Sequence, residues 1–421
     1  MKTTAVRLYG ENDLRLESFD LPEMGEDEIL CEIVSDSVCM STYKEAIQGT
    51  RHKRVPEDIA TKPIIIGHEF SGRMLKVGNK WSGKYHPGDK FAIQPNINYL
   101  NKGYAPGYSF PYFGGVSTHI IIPGVVMEKD CLLPYTGDAF FKASLGEPMS
   151  CIVAAFLSSY HTNKDNHLLS MGTKKGGIMA LMAGVGPMGL GALDYALHCD
   201  NKPSVLVVTD IDDQRLSRAK RLFTPEKAAK DGIKLVYINT SVQDAREQLM
   251  ALSGGVGYDD VFVFAPVKPV VEMADSILGM DGCLNFFAGP TDKNFKAEFN
   301  FYNVHYAAAH IVGTSGGNTD DLKIALDMMS KARIDPAVMV THIGGIDSAI
   351  STTLNLPKIP GGKKLIYVGI EMELTALDDL EIKGKTNPLF AKLADIVKKN
   401  NGLWSKEAEE FLLKTKQKVQ L

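Results

Sequence analysis

The 421-residue sequence has no Cys-x-x-Cys pair; its six cysteines, at 31, 39, 131, 151, 199 and 283, are scattered. In a chain of this size that argues against a disulfide framework and for a reducing compartment. An excess of either charge is also lacking, with 46 Lys+Arg against 50 Asp+Glu and a net charge of −4. No basic stripe dominates, so no nucleic-acid partner is expected. The first residues, Met1 to Leu8, contain no apolar h-region, and no secretory signal is expected. The longest charge-free stretch in an apolar setting is residues 176–193, and its 18 residues reach the lower edge of what spans a bilayer. Glycines and Pro187 interrupt it, so no membrane segment is expected and a cytoplasmic location is.

What remains is ordinary globular composition, 44% hydrophobic and 23% charged, enough for two or three domains by length. Glycine is mildly raised, 39 residues or roughly 9% against about 7% on average. Residues 1–150 read as β-rich, with short alternating runs such as Glu28 to Val34 and apolar bursts at 64–66 and 120–122. From about 176 strands alternate with helical windows: Ile178–Ala183 then Pro187–His198, Ser204–Thr209 then Asp212–Phe223, and Lys234–Asn239 then Val242–Leu252. Asp260–Ala265, Pro269–Leu278 and Leu284–Ala288 continue the pattern. Such alternation predicts an α/β fold with a doubly wound parallel sheet. A strand is expected at Lys364–Gly369 and charged helices at Pro388–Lys399 and Lys406–Lys416. The Lys-rich face of that tail (Lys398, Lys399, Lys414, Lys416, Lys418) reads as a solvated surface rather than a membrane or partner helix.

The apolar stretch holds Gly184-Val185-Gly186-Pro187-Met188-Gly189, a G-x-G-x-x-G. The pattern alone is weak, but here a strand precedes it and a helix follows, with Pro187 at a tolerated first-turn position. Asp210 ends the next predicted strand 21 residues after Gly189, where an acid would accept the ribose 2′-hydroxyl. Gly184, Gly186, Pro187, Met188, Gly189 and Asp210 are therefore expected to bind a dinucleotide, NAD(H) rather than NADP(H). Arg215 keeps NADP(H) as the alternative, since a nearby guanidinium accommodates the 2′-phosphate.

Three further features carry ligand chemistry: Cys39 in Ser37-Val38-Cys39-Met40-Ser41-Thr42, His68-Glu69 between Gly67 and Phe70, and Glu147 before Pro148. Thiolate, imidazole and carboxylate together suit Zn²⁺, and three such ligands leave a position open for substrate. Singly, each is more often a buried thiol or a satisfied core histidine.

Taken in order, the Cys39 segment, Gly67-His68-Glu69, Gly88-Asp89-Lys90-Phe91, Gly114-Gly115, Glu147-Pro148, the glycine turn and Asp210 resemble the zinc-dependent medium-chain dehydrogenase/reductase family. The resemblance runs along nearly the whole chain. It implies a GroES-like β-rich catalytic domain, residues 1–160 and 341–421, with an inserted Rossmann domain, residues 161–340. It also implies one catalytic zinc held by Cys39, His68 and either Glu69 or Glu147, with Ser41 passing the substrate proton onward. Two residues depart from the family pattern: Lys44 stands where many members have a relay His, and Thr42 where Asp is common. The family's four-cysteine lobe would fall near 94–115, where this chain has Asn96, Tyr99, Tyr104, Tyr108, Tyr112 and Phe113, so no structural zinc is expected.

Within the family the chain is similar to the polyol and threonine dehydrogenase branches, and in overall character to reductases of L-sorbose 1-phosphate. The expected partner is a sugar or polyol phosphate, most specifically L-sorbose 1-phosphate reduced to D-glucitol 6-phosphate, in a homo-oligomer (dimer or tetramer). A free polyol or threonine is the second reading, and a dinucleotide sensor without catalysis the third. The run Arg51-His52-Lys53-Arg54 suits a phosphate, with Arg51, Lys53 and Arg54 as candidate contacts. A solvated loop explains such a run equally well.

Overall fold

The strand Ile29–Val38 shows why the first part of the chain builds sheet: Ile29, Cys31 and Ile33 are almost wholly buried. Such period-two burial suits a strand packed on a core. It pairs antiparallel with Phe70–Val77, with Lys363–Tyr367 and with His119–Ile122. In this computed structural model, which describes residues 1–97, 100–163 and 165–415, these strands belong to an eight-stranded sheet. Tyr99, Lys416 and Lys418 lie outside the described residues.

The chain divides into two units, Met1–Pro148 with Asn318–Ala332 and Val340–Leu421, and Met149–Gly317 with Arg333–Met339. In the first, Ile29, Ile33, Phe70, Phe91, Ile120, Ile122 and Ile366 meet in a hydrophobic core. The apolar bursts at 64–66 and 120–122 are buried in this unit. Helix Met40–Gln48 follows directly on Ile29–Val38, and Cys39 is its N-cap.

The C-terminal helices Pro388–Lys399 and Lys406–Thr415 belong to the same unit. Trp404 between them is fully buried and donates to the Tyr367 hydroxyl at 2.6 Å. Buried Glu409 accepts from the amides of Phe140 and Phe141 at 2.7 and 2.8 Å and from Tyr367 Oη at 3.0 Å. Burial outweighs these donors and lifts its pKa to about 7. Lys398, Lys399 and Lys414 are exposed, as a solvated face requires.

The second unit carries a six-stranded parallel sheet, the other half of the expected α/β architecture. Its order is Lys234–Asn239, Val205–Asp210, Ile178–Met182, Tyr258–Val263, Leu278–Phe286 and His310–Gly313. Numbered along the chain this is 3-2-1-4-5-6, the Rossmann order, and it reverses at Ile178–Met182. Helix Pro187–His198 has the bounds expected from sequence. Strand Leu278–Phe286 starts at Leu278 rather than Leu284, because Gly279 and the positive φ of Asp281 (61°) interrupt its apolar pattern. The four-residue edge strand His310–Gly313 is too short to show a period and was not expected. No described helix is long and apolar enough to cross a membrane.

Candidate metal centre and dinucleotide turn

Cys39 stands where strand becomes helix, in extended conformation with φ −107° and ψ 151°. Its Sγ lies 3.7 Å from Ser41 Oγ in the first turn. His68 and Glu69 come from the bend before strand Phe70–Val77, which Gly67 makes tight. Gly67 has φ +93°, and a Cβ there would sit 2.6 Å from Asp36 Oδ2. One ligand atom each from Cys39, His68 and Glu69 lie within 4.8 Å of one another. Among the described residues this is the one group of three or more His, Cys, Asp or Glu placed to hold a metal ion. A thiol, an imidazole and a carboxylate at this spacing fit zinc.

The electrostatics prepare the site unevenly. Burial, and the proximity of Glu69, push the Cys39 thiol up to about 12, so a cation is needed to hold it as thiolate. Burial pulls His68 down to about 4, which leaves it neutral and ready to ligate. Thr42 Oγ1 lies 3.2 Å from His68 Nδ1, and Tyr108 Oη lies 3.4 Å from Nε2. The hydroxyl of Thr42 thus supports the ring where an Asp is common in the family, and fixes its orientation through one nitrogen.

Glu69 is not free. Lys363 Nζ donates to both its carboxylate oxygens at 2.6 Å, with both side chains almost fully buried. Burial opposes both charges, yet each holds the other ionised: Glu69 is lowered, chiefly against burial by Lys363, and Lys363 is raised. Sequence reading missed Lys363. It follows Gly361-Gly362 as the first residue of strand Lys363–Tyr367, 294 residues from its partner, and only the pairing of that strand with Ile29–Val38 brings it here. Tyr108 was noted only as one aromatic among several. Glu147, in the first turn of helix Gly146–Ser158, stands outside the three-ligand group, close enough that its charge raises Cys39.

The three candidate phosphate cations part company. Arg51 is exposed and paired with Glu11 at 2.6 Å. Lys53 is exposed. Arg54 is half-buried, with its guanidinium 5.1 Å from the centre of the Tyr108 ring. His52 stacks on the same ring at 5.5 Å with planes 8° apart. Burial, then Arg54, Lys53 and Lys44, pull His52 down to about 4.

In the second unit the glycine turn is a matter of backbone. Gly184 N donates to Thr209 O at 2.7 Å, tying the turn to the neighbouring strand. A Cβ on Gly189 would collide with the Gly184 carbonyl, and one on Gly184 would lie 2.7 Å from Leu181 O. Gly186 caps helix Pro187–His198, and the free amides at a helix N-terminus are suited to an anion. Asp210 ends its strand, buried, and accepts from the amides of Ile211 and Asp212. Arg215 Nη2 lies 3.6 Å from Asp210 Oδ2. A Cβ on Gly186 would meet the same guanidinium nitrogen at 3.4 Å.

The profile of zinc-binding dehydrogenases matches residues 187–331, and that of the alcohol dehydrogenase GroES-like domain matches residues 25–129. The L-sorbose 1-phosphate reductase of Klebsiella pneumoniae is 49% identical over 411 residues, 98% of this chain and 97% of that protein. This chain belongs to the zinc-dependent medium-chain dehydrogenase/reductase family. Mannitol-1-phosphate 5-dehydrogenase of Aliivibrio fischeri is likewise 49% identical, over 413 residues and the same shares of each chain. The crystal structure of 2R,3R-butanediol dehydrogenase from Bacillus subtilis shares the fold, with a TM-score of 0.70 at 20% identity. It covers 87% of this chain and 99% of its own. As a medium-chain dehydrogenase the protein is an oxidoreductase, of the polyol and sugar-phosphate group to which its near relatives belong.

Proposed function

We propose that the protein interconverts a ketose 1-phosphate and a polyol phosphate with NAD(H), L-sorbose 1-phosphate and D-glucitol 6-phosphate being the pair it fits best. The observation that carries this reading is the half-buried Arg54 guanidinium, 5.1 Å over the ring of the tyrosine that touches His68. A guanidinium offers a planar fork of donors to a phosphate. Both relatives at 49% identity are named for sugar-phosphate substrates. Arg51, spent on Glu11, leaves the assignment, and Lys53 adds charge from the surface.

In this reading Cys39, His68 and Glu69 hold a single zinc, with Glu147 near enough to exchange for Glu69. Bound zinc supplies Lewis-acid stabilisation of negative charge on the substrate oxygen. Ser41 gives that oxygen its proton on reduction and takes it back on oxidation. Thr42 keeps His68 turned to the site, and Lys363 keeps Glu69 ionised. The amides at the start of helix Pro187–His198 take the pyrophosphate, and Asp210 takes the ribose hydroxyls, which favours NAD(H) over NADP(H).

A substrate panel tests the reading. Arg54→Ala should raise KM for L-sorbose 1-phosphate by roughly tenfold or more, a charge-assisted bond being worth about 1.5–3 kcal/mol, and leave KM for unphosphorylated sorbose or sorbitol unchanged. Equal effects on both remove the phosphate role. Wild-type preference for the free polyol, or for threonine, replaces the proposed substrate.

A further inference from the structure

Helix Met40–Gln48 sets three polar side chains on one face. Ser41 and Glu45 are four residues apart, and Thr42 and Glu45 three, so they are neighbours along the helix surface. Side chains on a helix lean toward its N-terminus, and here that end is Cys39. Ser41 is beside the Cys39 sulfur and Thr42 is bonded to His68. Glu45, one turn further on, has no assigned task, and its environment is unusual. It is wholly buried, and neither carboxylate oxygen has a hydrogen-bond partner.

A buried carboxylate with no donor is costly, whereas a neutral carboxylic acid is not. The groups whose charges reach Glu45 are Arg54 and Asp36, and Tyr108 feels the charge of Glu45 in turn. Burial and Asp36 favour the protonated form and Arg54 opposes them; the acid is held well above its usual range. Glu45 nevertheless forms no ion pair with Arg54. A polar group buried without a partner is also where one water is expected to sit. The family's relay position, by contrast, holds Lys44, whose charge is directed at His52.

We propose that Glu45 is the proton reservoir behind Ser41, taking the place of the relay histidine that this chain lacks. The inference rests on the reductase reading and adds the route of the proton. In the reducing direction the carbonyl carbon gains the hydride of the dihydronicotinamide, forming a C–H bond as the C=O π pair moves onto oxygen. That oxygen takes the Ser41 hydroxyl proton. Ser41 is restored by the Glu45 carboxyl proton through one intervening water, and Glu45 is reprotonated from solvent between turnovers. Oxidation runs the same proton outward. Glu45 touches neither substrate nor hydride; it acts through Ser41.

The test uses the full-length zinc-loaded enzyme reducing L-sorbose 1-phosphate with NADH. Glu45→Gln should lower kcat by about tenfold or more, less than the roughly 10²–10⁴-fold of an acid that meets the reacting atoms directly, and enlarge the solvent deuterium effect on kcat. Both KM values should stay within about twofold and the zinc content should be unchanged, while Glu45→Asp recovers part of kcat. A kcat within twofold of wild type overturns the proposal. A rise confined to KM for the phosphorylated substrate also overturns it, by making Glu45 a counter-charge for Arg54, and loss of zinc makes it scaffold. If Glu45→Gln does not fold, Glu45→Asp decides: wild-type kcat and isotope effect in that variant overturn the proposal. If wild type reduces no sugar phosphate, the substrate reading fails by itself, and the same variants are compared on the polyol that wild type oxidises.

Discussion

The two functional regions are built from different materials. The dinucleotide turn is a backbone device: Gly184 and Gly189 matter because of what a Cβ would strike, and its whole apparatus lies between residues 178 and 215. The metal centre is a side-chain device, assembled from the helix after Cys39, the bend at His68, the loop at Tyr108 and a strand near residue 363. Its charges are buried and depend on one another. Damage to the turn should therefore stay local, and damage to the centre should spread into metal content and stability.

Substitutions at four positions test that contrast. Cys39→Ala should have the largest effect, removing bound zinc and turnover together while NADH still binds to the glycine turn; metal analysis beside NADH fluorescence titration checks it. Turnover retained without metal would end the zinc mechanism. Lys363→Met comes next. It strands the buried carboxylate of Glu69, and breaking such a pair costs about 3–5 kcal/mol, so the thermal midpoint should fall by several degrees. Lys363→Arg should keep most of it, and an unchanged midpoint in the Met variant would show that Glu69 finds another partner.

Gly189→Ala should weaken NADH binding on the order of a hundredfold by displacing the turn, with zinc content and midpoint near wild type. A fall in zinc content would erase the proposed contrast. The smallest effect belongs to Glu409. Its folded pKa, about 7, is raised above the ordinary 4.5, so its contribution is complete below pH 4.5 and is lost as pH rises through 7. The shift corresponds to on the order of 3 kcal/mol at most. Midpoints measured from pH 5.5 to 8.5 should decline in wild type and less steeply in Glu409→Gln; parallel curves would take Glu409 out of the pH response.

The same contrast explains what was legible in the sequence. The glycine turn and Asp210 lie within one strand–helix–strand unit, so their spacing could be read directly, and helix Pro187–His198 fell where expected. The Cys39, His68 and Glu69 segments could be read singly, but their meeting is a property of the fold. Lys363 could not be found, because a lysine in a Gly-Gly-Lys-Lys turn looks like any surface lysine until the sheet closes. Arg51 and Arg54 are three residues apart in one cationic run, and only the structure shows one paired with Glu11 and the other over the Tyr108 ring. Edge strand His310–Gly313 was missed because four residues carry too little pattern to distinguish it from loop.

The 294 residues between Glu69 and Lys363 have a meaning in time as well as in space. At roughly 5–20 residues per second, a ribosome makes the carboxylate about 15–60 s before its ammonium. The nucleotide-binding unit, Met149–Gly317 with Arg333–Met339, is fully synthesised within that interval. The nascent chain thus owns a finished insert while its host sheet still lacks strand Lys363–Tyr367 and the buried cation that strand delivers. The first domain to begin is the second to be completed.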